Sequence, residues 1–137
     1  MIKGVRLEFK NGKVVKSSAK LSEKLLKEMI NTEGANMVGE FSLTDRRFSK
    51  ITKFMGETLF DENMGGKFGN THIALGKAYQ DSYPGNISKV KKGIWKKMGY
   101  NDSSVHTDIV ATSDRNVTAT LVSGKKIVIY RKGQFTF

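Results

Sequence analysis

Apolar and polar residues alternate through residues 5–15, on either side of Asn11-Gly12. A period of two places alternate side chains on opposite faces of a strand. Asn-Gly supplies the two left-handed residues of a tight type I′ turn, so this segment predicts a β-hairpin. The period then lengthens. Leu21, Leu25, Leu26 and Met29 recur at helical spacing among lysines and glutamates, which predicts an amphipathic helix over residues 17–30. Ser17 or Ser18 could cap it, and Gly34 follows its end. Residues 37–43 alternate loosely and read as a strand.

The middle of the chain is less regular. Residues 50–59 suit a short helix, and residues 63–70 hold three glycines, the signature of a loop. The apolar run at 72–76 fits either a buried strand or the start of a helix. Pro84-Gly85 breaks the chain, and residues 87–98 read as a helix interrupted at Gly93 or as a lysine-rich surface loop. Strand-like segments follow at 104–113, 116–122, 125–130 and 133–137, separated by turns at Asp114, Ser123-Gly124 and Lys132-Gly133. Together these elements predict a single α+β domain over residues 1–137, with a hairpin, then a helix, and a β-rich C-terminal half.

Composition narrows the chemistry. A chain of 137 residues without cysteine excludes a thiolate zinc site and a cysteine nucleophile, and points to a cytoplasmic protein. No run approaches the roughly 18 apolar residues of a membrane span, and the N-terminus has no apolar signal core. The net charge is +11, from 24 Lys and Arg against 13 Asp and Glu, which keeps a polyanion partner in view. Lysines between 89 and 97, with Trp95 among them, could contact phosphates and stack on a base; they equally suit a solvated basic turn with one anchoring tryptophan. The basic residues are dispersed and mostly lysine, and arginine is the better reader of bases, so nucleic acid is the weaker expectation.

Metal-capable side chains fall inside short patterned segments. His106 and Asp108 are two apart in an expected strand and so share a face, as two ligands of one ion, or as an imidazole oriented by a carboxylate, or as an ordinary surface pair. His72 opens an apolar run and fits a boundary histidine equally well. Asp61 and Glu62 precede the glycine-rich loop, where solvated acids are common. Glu40 lies between Gly39 and Phe41 in an apolar strand signal, where it must face solvent, find a partner or bind metal. Tyr79, seven residues after His72, could donate to a developing oxyanion or sit in the core with one polar tip. Carboxylates with two imidazoles and no thiol suit zinc, manganese or cobalt in a hydrolytic centre.

The order of these segments resembles the C-terminal part of the thermophilic metalloaminopeptidase (aminopeptidase T-like) family. The matching pieces are Gly39-Glu40, the TLFDEN run from Thr58 to Asn63, His72 before IALG, Ala78-Tyr79, and the Asn101-Asp102-Ser103-Ser104 turn leading to His106 and Asp108. The opening hairpin, EGANMVGE and the closing RKGQF are similar too. The resemblance agrees with the α+β order of hairpin, helix, metal-site loops and a β-rich C-terminal half. It implies ligands at Glu40, Glu62, His72, His106 and Asp108 around two divalent ions (zinc, cobalt or manganese), and a substrate-binding or intermediate-steadying role for Tyr79. It further implies a peptide substrate, release of its N-terminal residue by metal-activated water, and a homodimer.

The sequence departs from the family pattern in two respects. A further bridging glutamate of the family comes from a segment before the hairpin, and MGGKFGNT widens the interval between Asn63 and His72. The expectation is therefore a catalytic region that is a fragment or truncated form, whose activity depends on an N-terminal region carrying that glutamate. The contrasting expectation is a basic nucleic-acid-binding or assembly module without catalysis.

Overall fold

In the computed structural model, which describes residues 1–137, the chain runs β1 (Arg6–Lys10), β2 (Lys13–Ser18), α1 (Glu23–Ile30), β3 (Val38–Thr44), α2 (Thr58–Asp61) and β4 (Asn70–Gly76). A 3-10 turn (Ile87–Lys89), α3 (Lys92–Lys97), β5 (His106–Ala111), β6 (Asn116–Thr120), β7 (Lys126–Arg131) and β8 (Gln134–Phe135) complete it. The strands form three sheets, ordered β1-β2, β3-β4-β5 and β6-β7-β8, so the architecture is mixed α+β. Residues group into two compact units, Met1–Phe41 with Ile73–Ile109 and Ser42–His72 with Val110–Phe137. No helix is long and apolar enough to cross a membrane.

In the first unit, β1 and β2 pair antiparallel about Asn11 and Gly12, both at positive φ, as the turn chemistry requires. Ser17 and Ser18 pair with Leu7 and Arg6 in this hairpin. They are therefore strand residues and not helix caps, and α1 begins only at Glu23, whose carboxylate accepts the Ala19 N–H at 3.3 Å. The buried face of α1 is Leu26 and Ile30, which pack with Leu75 of β4 while Val5, Leu7 and Val14 of the hairpin close around them. Leu21 and Leu25, expected on that face, are about half exposed. Burying a leucine such as Leu26 contributes roughly 1.5–3 kcal/mol.

The segment 87–98, read as an interrupted helix or a lysine-rich loop, is helical only in part: Ile87–Lys89 forms a 3-10 turn, and α3 covers Lys92–Lys97 and runs through Gly93. Its Trp95 is buried, edge-on to Tyr83 at 5.2 Å and tilted against Tyr100 at 5.5 Å. An indole enclosed by two tyrosines cannot serve as a platform for a base, which removes the stacking element of the nucleic-acid reading.

In the second unit most of 50–59 is not helical, and α2 covers a single turn. The Asp61 carboxylate accepts the N–H groups of Met55 at 2.7 Å and Gly56 at 2.9 Å, and Gly56 adopts φ +77°, so a local side-chain loop replaces the helical ladder. The apolar run at 72–76 is a strand, with Asn70, His72 and Ala74 alternately buried.

Two buried groups hold this unit. Tyr130 is fully buried, with its hydroxyl 2.8 Å from the Thr44 carbonyl and 3.2 Å from that of Phe68. Asp45, 4% exposed, accepts two side-chain N–H groups of Arg47 and the backbone N–H groups of Arg47 and Phe135. The Arg47 guanidinium, helped by those amides and against the effect of burial, lowers the Asp45 carboxyl from 3.8 to about 2.

Because the folded carboxyl titrates below the unfolded one, Asp45 contributes stability that is complete above pH 3.8 and is lost as the pH falls toward about 2. Asp45→Asn should lower urea stability at pH 7 by about 2 kcal/mol. Its stability curve between pH 4 and 2 should lack the fall this one carboxylate adds to the wild type, as paired urea titrations at each pH will read.

Candidate metal centre

Period-two geometry brings His106 and Asp108 to one face of β5, with the imidazole Nε2 3.5 Å from the Asp108 Oδ1. Glu40, in β3, places Oε2 3.8 Å from the same nitrogen. The other ring nitrogen, Nδ1, lies 2.7 Å from the Lys77 carbonyl oxygen. A carbonyl only accepts, so Nδ1 carries the proton, and in the neutral ring Nε2 is a lone pair aimed between two carboxylates. Two carboxylates facing one imidazole nitrogen favour positive charge between them, whether carried by a proton on the ring or by a bound cation. The side chains of His106 and Glu40 are partly exposed, 20% and 31%, whereas that of Asp108, at 6%, is buried with its Oδ1 shielded from solvent. The Tyr79 ring stands 4.8 Å from the His106 ring, tilted by 53°, and Tyr79 is half exposed, so a ligand can reach its hydroxyl.

The segments around this group interlock through main-chain carbonyls. A Cβ on Gly39 would come within 2.5 Å of the carbonyl oxygens of Gly76 and Lys77, so only glycine lets β3 pass this close ahead of Glu40. The Asn101 amide donates to the Gly34 carbonyl at 2.8 Å and the Gly76 carbonyl at 2.5 Å. Ser103 Oγ donates to the Glu33 carbonyl at 2.7 Å and accepts the Val105 N–H at 3.2 Å. Lys77 N–H donates to the Val105 carbonyl at 2.7 Å. Asn101 and Ser103 thus fix the approach to β5, and Lys77 supplies the carbonyl that orients His106. In the sequence Asn101 and Ser103 read only as turn residues, and their positioning role is not evident. The asparagine-serine composition was the available signal, since such side chains bond to backbone groups.

In the second unit His72, 3% exposed, has Nδ1 3.1 Å from the carbonyl oxygen of Glu62. The logic of His106 repeats: Nδ1 is the donor, and Nε2 is left for another partner. Glu62 closes the turn after α2, and Thr44 Oγ1 donates to the same carbonyl at 3.4 Å. Asp61 does not join this pair, because its carboxylate is engaged by Met55 and Gly56. The structure therefore groups Glu40, Tyr79, His106 and Asp108 in one unit and Glu62 with His72 in the other.

The sequence profile of the family described as thermophilic metalloprotease (M29) matches residues 1–135. Aminopeptidase 2 of Geobacillus stearothermophilus is 35% identical over 141 aligned positions, taking in 100% of this chain and 33% of that protein. Aminopeptidase AmpS of Bacillus subtilis (strain 168) is 32% identical over 141 positions, again 100% of this chain and 33% of that protein. The solved structure titled wild-type AmpT from Thermus thermophilus matches with a TM-score of 0.82 at 29% identity, over 99% of this chain and 32% of that one. The chain spans about a third of the length of the relatives it matches.

If close carbonyl approach fixes Gly39, then Gly39→Ala should lower stability by about 1–3 kcal/mol, the usual range for overpacking. Gly93→Ala, on α3 where a Cβ would meet nothing within 4 Å, should raise it by roughly 0.5–1 kcal/mol. Urea unfolding of the two variants beside the wild type checks both signs.

Proposed function

Because the chain belongs to the thermophilic metalloprotease (M29) family, we propose that it forms the metal-binding catalytic region of an aminopeptidase that removes N-terminal residues from peptides. The observation that carries this reading is the His106 imidazole, its Nδ1 tied to the Lys77 carbonyl and its Nε2 facing Asp108 and Glu40. The aminopeptidase names of the curated relatives support the reaction class. The proposed ligands are Glu40, Glu62, His72, His106 and Asp108, a hard-donor set with imidazole that suits zinc, cobalt or manganese.

The donor chemistry fits such an ion. Both histidines are held in the tautomer that presents Nε2, as metal-binding histidines are when a carbonyl or carboxylate takes the other ring proton. Divalent ions held by these residues would supply Lewis acidity toward a peptide carbonyl and make water more acidic. The protein's own part is orientation and charge. Lys77 and Glu62 carbonyls keep the imidazoles from rotating, and the carboxylates of Glu40, Glu62 and Asp108 balance the cationic charge. Tyr79 lies beside His106 with its ring half exposed, so its hydroxyl is suited to donate to a peptide carbonyl oxygen as negative charge builds there. Activity of the whole enzyme depends on more polypeptide than this chain, which covers about a third of its relatives.

Zinc titration by calorimetry should show binding to the wild-type chain. His106→Ala and Glu40→Ala should weaken it beyond the roughly 10–100-fold typical of an outer-shell change. Zinc affinity that is the same in all three proteins would overturn the ligand assignment. Tyr79→Phe should leave zinc affinity unchanged and, in an active enzyme carrying this region, lower kcat on an aminoacyl p-nitroanilide.

A further inference from the structure

Three consecutive carbonyl oxygens of the segment Glu62–Asn63–Met64 are each captured by a side chain from elsewhere in the same unit. The Glu62 carbonyl takes the His72 Nδ1–H at 3.1 Å and the Thr44 hydroxyl at 3.4 Å. The Asn63 carbonyl takes the Ser49 hydroxyl at 2.5 Å. The Met64 carbonyl takes the Asn70 amide at 2.6 Å. None of these bonds belongs to a helix or a sheet ladder.

We propose that Ser49 and Asn70 are positioning residues, which fix the Glu62–Met64 backbone so that the Glu62 carbonyl locks His72 with its Nε2 presented to a metal ion. The proposal rests on the reading of Glu62 and His72 as ligands.

The arrangement at Asn70 is otherwise hard to explain. Asn70 is fully buried, and its side-chain oxygen has no hydrogen-bond partner. Burying a half-satisfied amide is costly, so an apolar residue would serve packing better. What the amide supplies is the bond to Met64, two residues from Glu62. Ser49 is similarly committed. Its hydroxyl bonds Asn63, and its oxygen accepts the Ile51 N–H at 3.2 Å. The Ile51 carbonyl in turn accepts the Gly65 N–H at 2.8 Å. A Cβ on Gly65 would stand 3.0 Å from that of Ser49, so the two segments lie in close contact. The glycine-rich stretch that widens the interval between Asn63 and His72 is thus pinned near its start by Ser49 and at its end by Asn70. A loop that could have left Glu62 mobile is held at three successive peptide groups.

Two readouts separate the proposal from its premise. The first is long-range 1H–15N NMR of the His72 imidazole in the full chain without metal, which reports tautomer and exchange of the Nδ1 proton directly. The second is calorimetric titration with zinc. The wild type should show His72 as the Nδ1–H tautomer with a slowly exchanging proton. Ser49→Ala and Asn70→Leu, the second an apolar side chain of similar size, should keep a cooperative thermal transition, speed that proton's exchange and mix the tautomers. Each should weaken zinc binding by about 10-fold or more, the range for residues that orient a ligand. A wild-type His72 in the Nε2–H tautomer overturns the proposal whether or not the variants fold. So do folded variants whose imidazole pattern matches the wild type. An altered imidazole signal in the variants, with no zinc binding even by the wild type, upholds the carbonyl cradle and overturns the ligand reading instead.

Discussion

A peptide carbonyl can only accept a hydrogen bond, and both histidines of this chain rest on one. His106 leans on Lys77 and His72 on Glu62, each through Nδ1. That single constraint decides which nitrogen bears the proton and which is left for other chemistry. It also explains why the polypeptide around the histidines is so closely tied down. A carbonyl orients an imidazole only as well as the carbonyl itself is held. Asn101, Ser103 and Gly39 serve that end near Lys77, and Ser49, Thr44 and Asn70 serve it near Glu62.

Features set by local geometry were readable from the chain. The Asn11-Gly12 turn, the strand that places His106 and Asp108 on one face, and the β-rich C-terminal half all follow from period and turn chemistry. Structure departs from local preference where a distant or side-chain partner competes for the same backbone groups. Residues 17 and 18 look like helix caps until the hairpin claims them across from Leu7 and Arg6. The 50–59 segment has helical spacing, yet the Asp61 carboxylate takes the N–H groups that a helix would need. Leu25 has the spacing of a core residue, but Leu26 and Ile30 define the packed face and leave it half exposed.

The candidate site divides the same way. Residue types and motif order drew attention to Glu40, Glu62, His72, Tyr79, His106 and Asp108. The residues that hold them were not legible, because their bonds join positions far apart in the chain. Asn101 reaches Gly34 and Gly76, 67 and 25 residues away, and Ser103 reaches Glu33, 70 residues away. Gly39 illustrates the point in another form. Its backbone is not at positive φ, so no turn rule singles it out, and it is required by two carbonyls that only the fold brings near.

A net charge of +11, taken alone, argues against a cation site. Distance resolves the conflict. Charges farther away than about 8–10 Å are largely screened at physiological ionic strength, whereas groups in contact are not. Around His106 the groups in contact are Glu40 and Asp108, two carboxylates within 3.8 Å of one imidazole nitrogen. The lysines that give the chain its charge lie largely on exposed surface, as on α3, where Lys92, Lys96 and Lys97 are all solvent-facing. Local carboxylates therefore make the immediate surroundings of His106 anionic, and the basic surface governs solubility and long-range encounter. The composition that first suggested a polyanion partner is compatible with a metal centre because the two act over different lengths.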